Sequence, residues 1–572
     1  MVRRRGPLVT ISMREGNRRS FLGNVIGALG LVAGTPKLTA TSNVRPGLLP
    51  GNSRSQTALR MRESAAVFQC MQPSAAETSN GDETGLPQYI ACFTKGLPHD
   101  QTGVVDPDAY ATLLYALSTG KHSDFENISR GSGMKLVDPE AAFTYELEGA
   151  DSHRLACPPA PNLSSAQAAA EMVELYWQAL ARDIPFAEYA TSPIIAAAGQ
   201  DLARLSGYQG PGTAGGSISP NAIFRGSFNG CLVGPYISQF LWQPIPMVST
   251  WVDQRYRVPV AGSDYLVEYS EWLQLQSGLP PFRDDVFDST PRYVYTGRGL
   301  AEWVHYDFLY QAYHNAALIL LNQGPESILN KNPYYNPTNP YKNSLVQTGF
   351  ATFGAPHICS WLGRFATAAL EAAWYQKWSV HRRLRPEEFG GLAHQVATGA
   401  ARYPISNDLL NSAAFANTFK LNGTYFLPQA YPEGCPLHPA YPAGHATVAG
   451  ACSALLKAFF DENALLTDCV TPSADGTALQ PYTDTALSVG GEVNKLAFNI
   501  AMGRNFAGIH YRSDAMAGFV LGEEVAIAKL QDLVNTFTED FEGFQFTRLD
   551  GTPVQITKQS GPAAVFQRGV GV

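Results

Sequence analysis

The chain has 572 residues, 41 of them Lys or Arg and 49 Asp or Glu, for a formal charge of −8. With only 16% charged residues and an acidic balance it lacks the basic face of a nucleic-acid binder, and no apolar run reaches the roughly 20 residues that cross a bilayer. A composition of 45% hydrophobic and 11% aromatic residues supports a large core and leaves surface for subunit contacts.

In chain order, Asn17-Arg18-Arg19-Ser20-Phe21-Leu22 precedes an apolar, glycine-rich stretch from Val25 to Gly34. Twin arginines before a modest apolar stretch predict a Tat-type export signal, with a disordered basic tail in the cytoplasm as the alternative. Residues 1–53 are therefore set apart as a leader or disordered extension, and 54–572 as one helical domain. Length alone suggests about four domains, but no clear linker divides the later part. Ser164 to Gln167 reads as a capping box that opens a helix over 168–182. Met172, Leu175, Tyr176, Ala179 and Leu180 line one face of it. Further helices are predicted over 194–205, 302–321, 361–384, 446–460, 492–502 and 514–534. In the helix over 361–384, Leu362, Phe365, Ala366, Ala369 and Ala373 form the apolar side, and Pro386 is the stop signal. Proline and glycine concentrate in connections at 207–220 and 330–338, and short strands are expected near 544–554. The fold class is all-α, helical bundles with long loops and minor short strands. No sequence repeat is visible. A cation-binding loop at 334–343, which would hold a structural calcium, competes there with ordinary turn chemistry. Eight scattered cysteines form no CxxC pair, which argues against zinc or a thioredoxin-like site. Cys452 reads as core packing.

Three short segments carry the chemistry: Lys377 to Pro386, His438 to His445 and Arg504 to Asp514. Together they suit a tetrahedral oxyanion. Arg385 and Arg504 offer planar two-pronged donors and Lys377 a compact third charge. Gly444 opens a helix whose free N–H groups face an anion, and glycine allows close approach. His510 is placed to attack or coordinate the central atom. Ser513 is a helix N-cap candidate, and Asp514, four residues beyond His510, can fix its tautomer. Lys377, His381 and Arg385 recur every four residues and so share a helix face. His381 is read as structural.

The ordered set resembles the signature of the vanadium-dependent haloperoxidases and the acid phosphatases of the same superfamily: Lys-spacer-Arg-Pro, then Pro-Ser-Gly-His, then Ser-Arg, five residues, His, three residues, Asp. The segments Leu136 to His153 and Leu232 to Trp242 are similar to haloperoxidases of red algae and bacteria. The likeness runs from about residue 54 to near 560, with the anion site inside 374–514. Seven residues separate Lys377 from Arg385, and His438 stands seven before His445. Both resemble the algal bromoperoxidases more than the phosphatases. Trp374 resembles a tryptophan on the halide side, with a core aromatic as the alternative. There are two departures. Ala443 replaces the family serine and Gly503 replaces another, so two hydroxyl donors are missing.

The resemblance implies vanadate as cofactor, bound to His510 through one ring nitrogen. Lys377, Arg385, Arg504 and the Gly444 N–H would surround its equatorial oxygens, and His445 would bond the apical one. His438 is expected to take the proton of hydrogen peroxide, with a pKa near neutrality. The implied reaction is oxidation of bromide, with iodide or chloride in question, to a hypohalite-like species that halogenates small organic acceptors. The resemblance also implies a homo-oligomer. Two other readings stay open: a soluble acid phosphatase with His510 as nucleophile, and a non-catalytic oxyanion-binding or shell-forming relative.

Overall fold

A computed structural model describes residues 51–212, 216–247, 249–321 and 332–558. The chain divides into two units, Met1–Arg60 and Met61–Val572. Of the first, residues 51–60 are described, as the opening of a helix that spans Gly51–Met71. The twin-arginine segment lies outside the described residues. Everything below concerns the second unit.

Helices dominate this unit, and its only sheets among the described residues are three two-stranded antiparallel ribbons. The last ribbon pairs Gly543–Thr547 with Pro553–Thr557, close to the strands expected there. The other two, at Ile245–Met247 with Thr250–Val252 and Val470–Pro472 with Leu479–Pro481, were not expected. Strands of three residues are too short to show an alternation of apolar and polar positions. No helix of the described residues is long and apolar enough to cross a membrane.

At the centre lies the Gly444–Phe459 helix, buried along its whole length. It packs against the Ala355–Tyr375, Val489–Phe506 and Arg512–Val534 helices. Its small residues explain the intimacy of the last contact. A Cβ on Gly450 would fall 2.2 Å from the Phe519 carbonyl oxygen, and one on Gly522 would overlap the Thr447 carbonyl oxygen at 1.9 Å. Only glycine at these two positions lets the backbones approach this closely. The same approach brings the Ala443 N–H within 2.9 Å of the Asp514 carbonyl oxygen, so two motifs distant in sequence are hydrogen-bonded to each other.

Several expected boundaries shift. The capping residue of the Ala166–Leu180 helix is Ser165, which accepts from Ala168 N; Ser164 lies one residue too early. The helix expected over 194–205 spans Pro193–Leu202. The segment expected as one helix over 302–321 is two, Gly297–Trp303 and Gln311–Leu321. The break between them is held open by polar contacts to the site described below. The helix expected over 361–384 is α-helical over Ala355–Tyr375 and then a wider π-turn over Gln376–His381, ending at Arg382 with φ 38°. Pro386 starts the next helix, Pro386–Ala397, with Arg385 as its N-cap. Lys377, His381 and Arg385 therefore do not share one helical face. A π-turn changes the angular step per residue, and short-range spacing does not reveal one. Ser513 is likewise inside the Arg512–Val534 helix. The N-cap is Tyr511, whose N–H is bonded at 3.1 Å by Asp514 from the third helical position.

Asn332, Asn336 and Asn339 each accept a backbone N–H two residues on, so the 332–341 loop is a chain of side-chain-closed turns. All eight cysteines are free thiols, and Cys452 is buried in its helix.

Candidate active site

Lys377, Arg385, His438, His445, Arg504 and His510 are all buried around the N-terminus of the Gly444–Phe459 helix. Each is placed by backbone. The Lys377 ammonium donates to the carbonyl oxygens of Pro439 at 2.7 Å and Ala440 at 2.9 Å, which leaves its third hydrogen for a ligand. Arg385 donates Nε to the His438 carbonyl oxygen and one terminal nitrogen to that of Ile509, both at 2.8 Å. The same terminal nitrogen lies 3.0 Å from His510 Nε2, and the other lies 3.0 Å from His438 Nδ1. One guanidinium therefore ties all three motifs together. Arg504 donates to the Val304 carbonyl oxygen at 2.7 Å and lies over the Tyr431 ring at 5.6 Å. Its Nε is buried with no partner among the described residues.

The histidine tautomers follow from their neighbours. His510 Nδ1 is 2.9 Å from Asp514 Oδ2, an acceptor, so the proton sits on Nδ1 and the Nε2 lone pair faces Arg385. Asp514 is itself held at 2.8 Å by Arg383, which also reaches Glu171 at 3.2 Å. His445 Nε2 is 2.8 Å from Asp307 Oδ1, which leaves Nδ1 to accept or give a proton. Burial alone would raise the Asp307 pKa, but His445 brings it below the usual carboxylate value.

Three buried cations in one cage repel one another. Burial, and then Arg385, hold Lys377 well below an ordinary lysine. Burial also lowers Arg385. Burial, then Arg385 and Lys377, push His510 and His438 well below the usual imidazole value. This differs from the near-neutral pKa expected for His438: burial first, and the neighbouring cations second, favour the uncharged ring. The cluster of positive groups and the orphaned Arg504 Nε call for an anion with several oxygens, and a vanadate or phosphate fits that donor set.

Trp374 closes one side. Its ring lies 4.8 Å from that of His438, and Lys377 Nζ is 5.9 Å from it. A Cβ on Gly444 would come within 3.2 Å of Trp374 Cζ3, so the glycine makes room for the indole. His381 is separate from these contacts. Its ring meets Tyr441 at 4.7 Å, both its nitrogens are buried without partners among the described residues, and burial takes its pKa to about 4. Ala443 is the N-cap of its helix and offers no side-chain cap. Gly503 has its own reason: a Cβ there would lie 2.8 Å from the Leu300 carbonyl oxygen, so a serine would collide with the neighbouring helix.

A family model described as the VCPO second helical-bundle domain matches residues 400–539, which include the second and third motifs. The vanadium-dependent bromoperoxidase of Ascophyllum nodosum is 34% identical over 529 residues, covering 89% of this chain and 93% of that protein. The chain belongs to the vanadium-dependent bromoperoxidase family. The family member from Corallina officinalis is 33% identical, over 88% of this chain and 98% of its own. The second vanadate-dependent bromoperoxidase of Ascophyllum nodosum, solved as a homohexamer, superimposes with a TM-score of 0.85 at 29% identity, over 93% of this chain and 96% of that one.

Within this bromoperoxidase fold, sequence reasoning missed four residues that shape the site. Asp307 and Val304 stand on a segment expected to be helical, so nothing marked them as partners of His445 and Arg504. Arg383 holds Asp514 directly, and Glu171, which belongs to no motif, holds Arg383 and Ser513 from the Ala166–Leu180 helix. Arg383 stands in a run of arginines, 382, 383 and 385, that gave no means of telling cage from support.

Proposed function

We propose that this chain is a vanadate-dependent haloperoxidase that oxidises bromide with hydrogen peroxide and passes the oxidised halogen to organic acceptors. One observation carries the reading: a buried set of cations, Lys377, Arg385 and Arg504, converges with a His510 whose Asp514 partner keeps Nε2 unprotonated, its lone pair turned to Arg385 and the cage. His510 Nε2 would hold the vanadium. The Lys377 ammonium, the two guanidinium groups and the first-turn N–H groups at Gly444 would neutralise vanadate oxygens. Bound vanadium(V) supplies a Lewis acid that activates peroxide without changing oxidation state.

The remaining steps belong to the chain. Arg385 takes over the negative charge beside His510 and His438, and burial strengthens each of these contacts. An uncharged His438 can accept the proton that peroxide loses on binding, and the anionic charge brought by the cofactor favours the imidazolium that results. His445, oriented through Asp307, gives or takes a proton at Nδ1. Lys377 directs its remaining hydrogen at peroxide oxygen, which makes that oxygen more open to halide. Trp374 shields the His438 side from water. The homohexameric relative, similar over 93% of this chain, supports assembly into a homo-oligomer.

The test is a titration of metal-stripped protein with orthovanadate, following peroxide- and bromide-dependent bromination of a dimedone-type reporter beside aryl phosphate hydrolysis. Bromination that requires vanadate and is suppressed by phosphate is the expected result. Hydrolysis by the stripped protein without vanadate-dependent bromination would overturn it and make His510 a nucleophile.

A further inference from the structure

The segment that separates the Gly297–Trp303 and Gln311–Leu321 helices carries a second cluster outside the anion cage. His305 Nε2 is 2.7 Å from Glu433 Oε1. On the other side of the ring, Nδ1 is 3.3 Å from Glu302 Oε2 and 3.9 Å from Asp285 Oδ2. The His305 side chain is 3% exposed, those of Asp285 and Glu302 9% each and that of Glu433 30%. Three carboxylates thus meet one imidazole in a largely buried space. The nearby Lys95 ammonium does not balance them, since it is paired with Glu387 at 2.6 Å and bonded to the carbonyl oxygens of Glu433 and Cys435. Arg283 is likewise spent on Glu271. Asp285 accepts from Tyr265 through Oδ1 only. Among the described residues no hydrogen bond reaches its Oδ2, which lies 3.9 Å from the ring on a side chain that is 9% exposed.

We propose that His305 Nδ1, Asp285 and Glu302 bind one first-row divalent cation of the Zn2+ type, with Glu433 holding the ring from behind through Nε2–H. The spacing suits this. Ligand atoms bound at about 2.0–2.1 Å in a tetrahedron are about 3.3 Å apart, the distance found between His305 and Glu302. All three ligand atoms lie within 4.8 Å of one another, so a small turn of Asp285 completes the set. A carboxylate on the far nitrogen is the usual partner of a metal-bound histidine, because it fixes the tautomer that leaves the near nitrogen free. One nitrogen and two oxygens favour Zn2+ and its neighbours over Ca2+ or Mg2+, which take all-oxygen shells.

The position gives the site a consequence. His305 lies between Val304, whose carbonyl oxygen accepts from Arg504, and Asp307, which holds His445 two residues on. Its ring also stacks on Tyr431 at 3.6 Å and 1°, and the Tyr431 ring carries Arg504. A cation there pins the segment that positions two cage residues, so its removal weakens vanadate binding.

Tag-free full-length chain, stripped with a chelator, would be dialysed against Zn2+ and its bound metal counted. Co2+ would be titrated in parallel for its visible ligand-field bands. The expected result is one site per chain with tetrahedral Co2+ absorption. Asp285→Asn and Glu302→Gln should weaken it by about tenfold or more, and Glu433→Gln by about 10–100-fold. His510→Ala, which removes a cage nitrogen, should leave it in place. The proposal is overturned if the wild-type chain binds no stoichiometric cation, in which case His305 is an imidazolium clamped by carboxylates. It is equally overturned if binding survives the three carboxylate substitutions and disappears with His510. Glu433 is the most exposed of the four, so its variant keeps the test open should a more buried one fail to fold.

Discussion

At the scale of single residues, the site works through which nitrogen of each histidine carries the proton. Asp514 settles this for His510 and Asp307 for His445. His510→Ala removes the Nε2 lone pair and should abolish vanadate-dependent bromination; normal turnover in that variant would sink the coordination model. Asp307→Asn should weaken vanadate binding or turnover by about 10–100-fold. It also has a signed pH effect. Burial lowers the His445 pKa and Asp307 opposes that, so loss of the carboxylate lowers it further. A rate limb set by His445 protonation should move to lower pH in the variant, and a move to higher pH would contradict the assignment. Ala443 is the other informative residue. A serine there would cap the Gly444–Phe459 helix for about 1 kcal/mol and restore a hydroxyl beside the anion. Ala443→Ser should raise the melting temperature and tighten vanadate by roughly threefold to tenfold, the effect of one added hydrogen bond. Unchanged affinity in a binding titration would show that another donor already fills that place.

At the scale of elements, helix starts do most of the positioning. Three of them meet at the cage: Arg385 is an N-cap, Gly444 is a first residue, and Asp514 bonds back to the N-cap Tyr511. Each contributes unpaired N–H groups or a residue fixed in extended backbone just before a helix. Arg383 is the tie between them, since it joins Asp514 and Glu171 and stacks on Tyr511 at 3.8 Å. Arg383→Met would leave two buried carboxylates without their cation, a loss of about 3–5 kcal/mol. Urea unfolding should show it, and a loss below about 1 kcal/mol would mean the network is not a support. The helices at Ala355–Tyr375, Gly444–Phe459, Val489–Phe506 and Arg512–Val534 were legible because their apolar residues recur at helical spacing, and Gly444 marks the start of one. The π-turn after Tyr375 and the break at Val304 were not, because both are fixed by contacts with partners 62 and 200 residues away.

At the scale of the whole molecule, the chain leaves large apolar side chains in water. Leu147, Leu345 and Val346 are 92%, 98% and 89% exposed. Scattered apolar residues are ordinary on a monomer, yet residues this exposed also suit a chain that assembles with copies of itself. Light scattering should give an integral multiple of the chain mass at micromolar concentration. A single-chain mass across the accessible range would refute the oligomer.

The sequence by itself determined the helical class, the anion cage and the order of its parts. Arginine, lysine, histidine and a glycine at a helix start keep their chemistry in any fold that gathers them, and their spacing is local. The tertiary structure alone decided which nitrogen each histidine presents, that Asp307 and Val304 hold the cage from outside the motifs and Arg383 supports it from within one, and that burial lowers the His438 pKa. Those outcomes depend on distance and burial between segments far apart in the chain, and neither quantity is encoded in the spacing of residues along it.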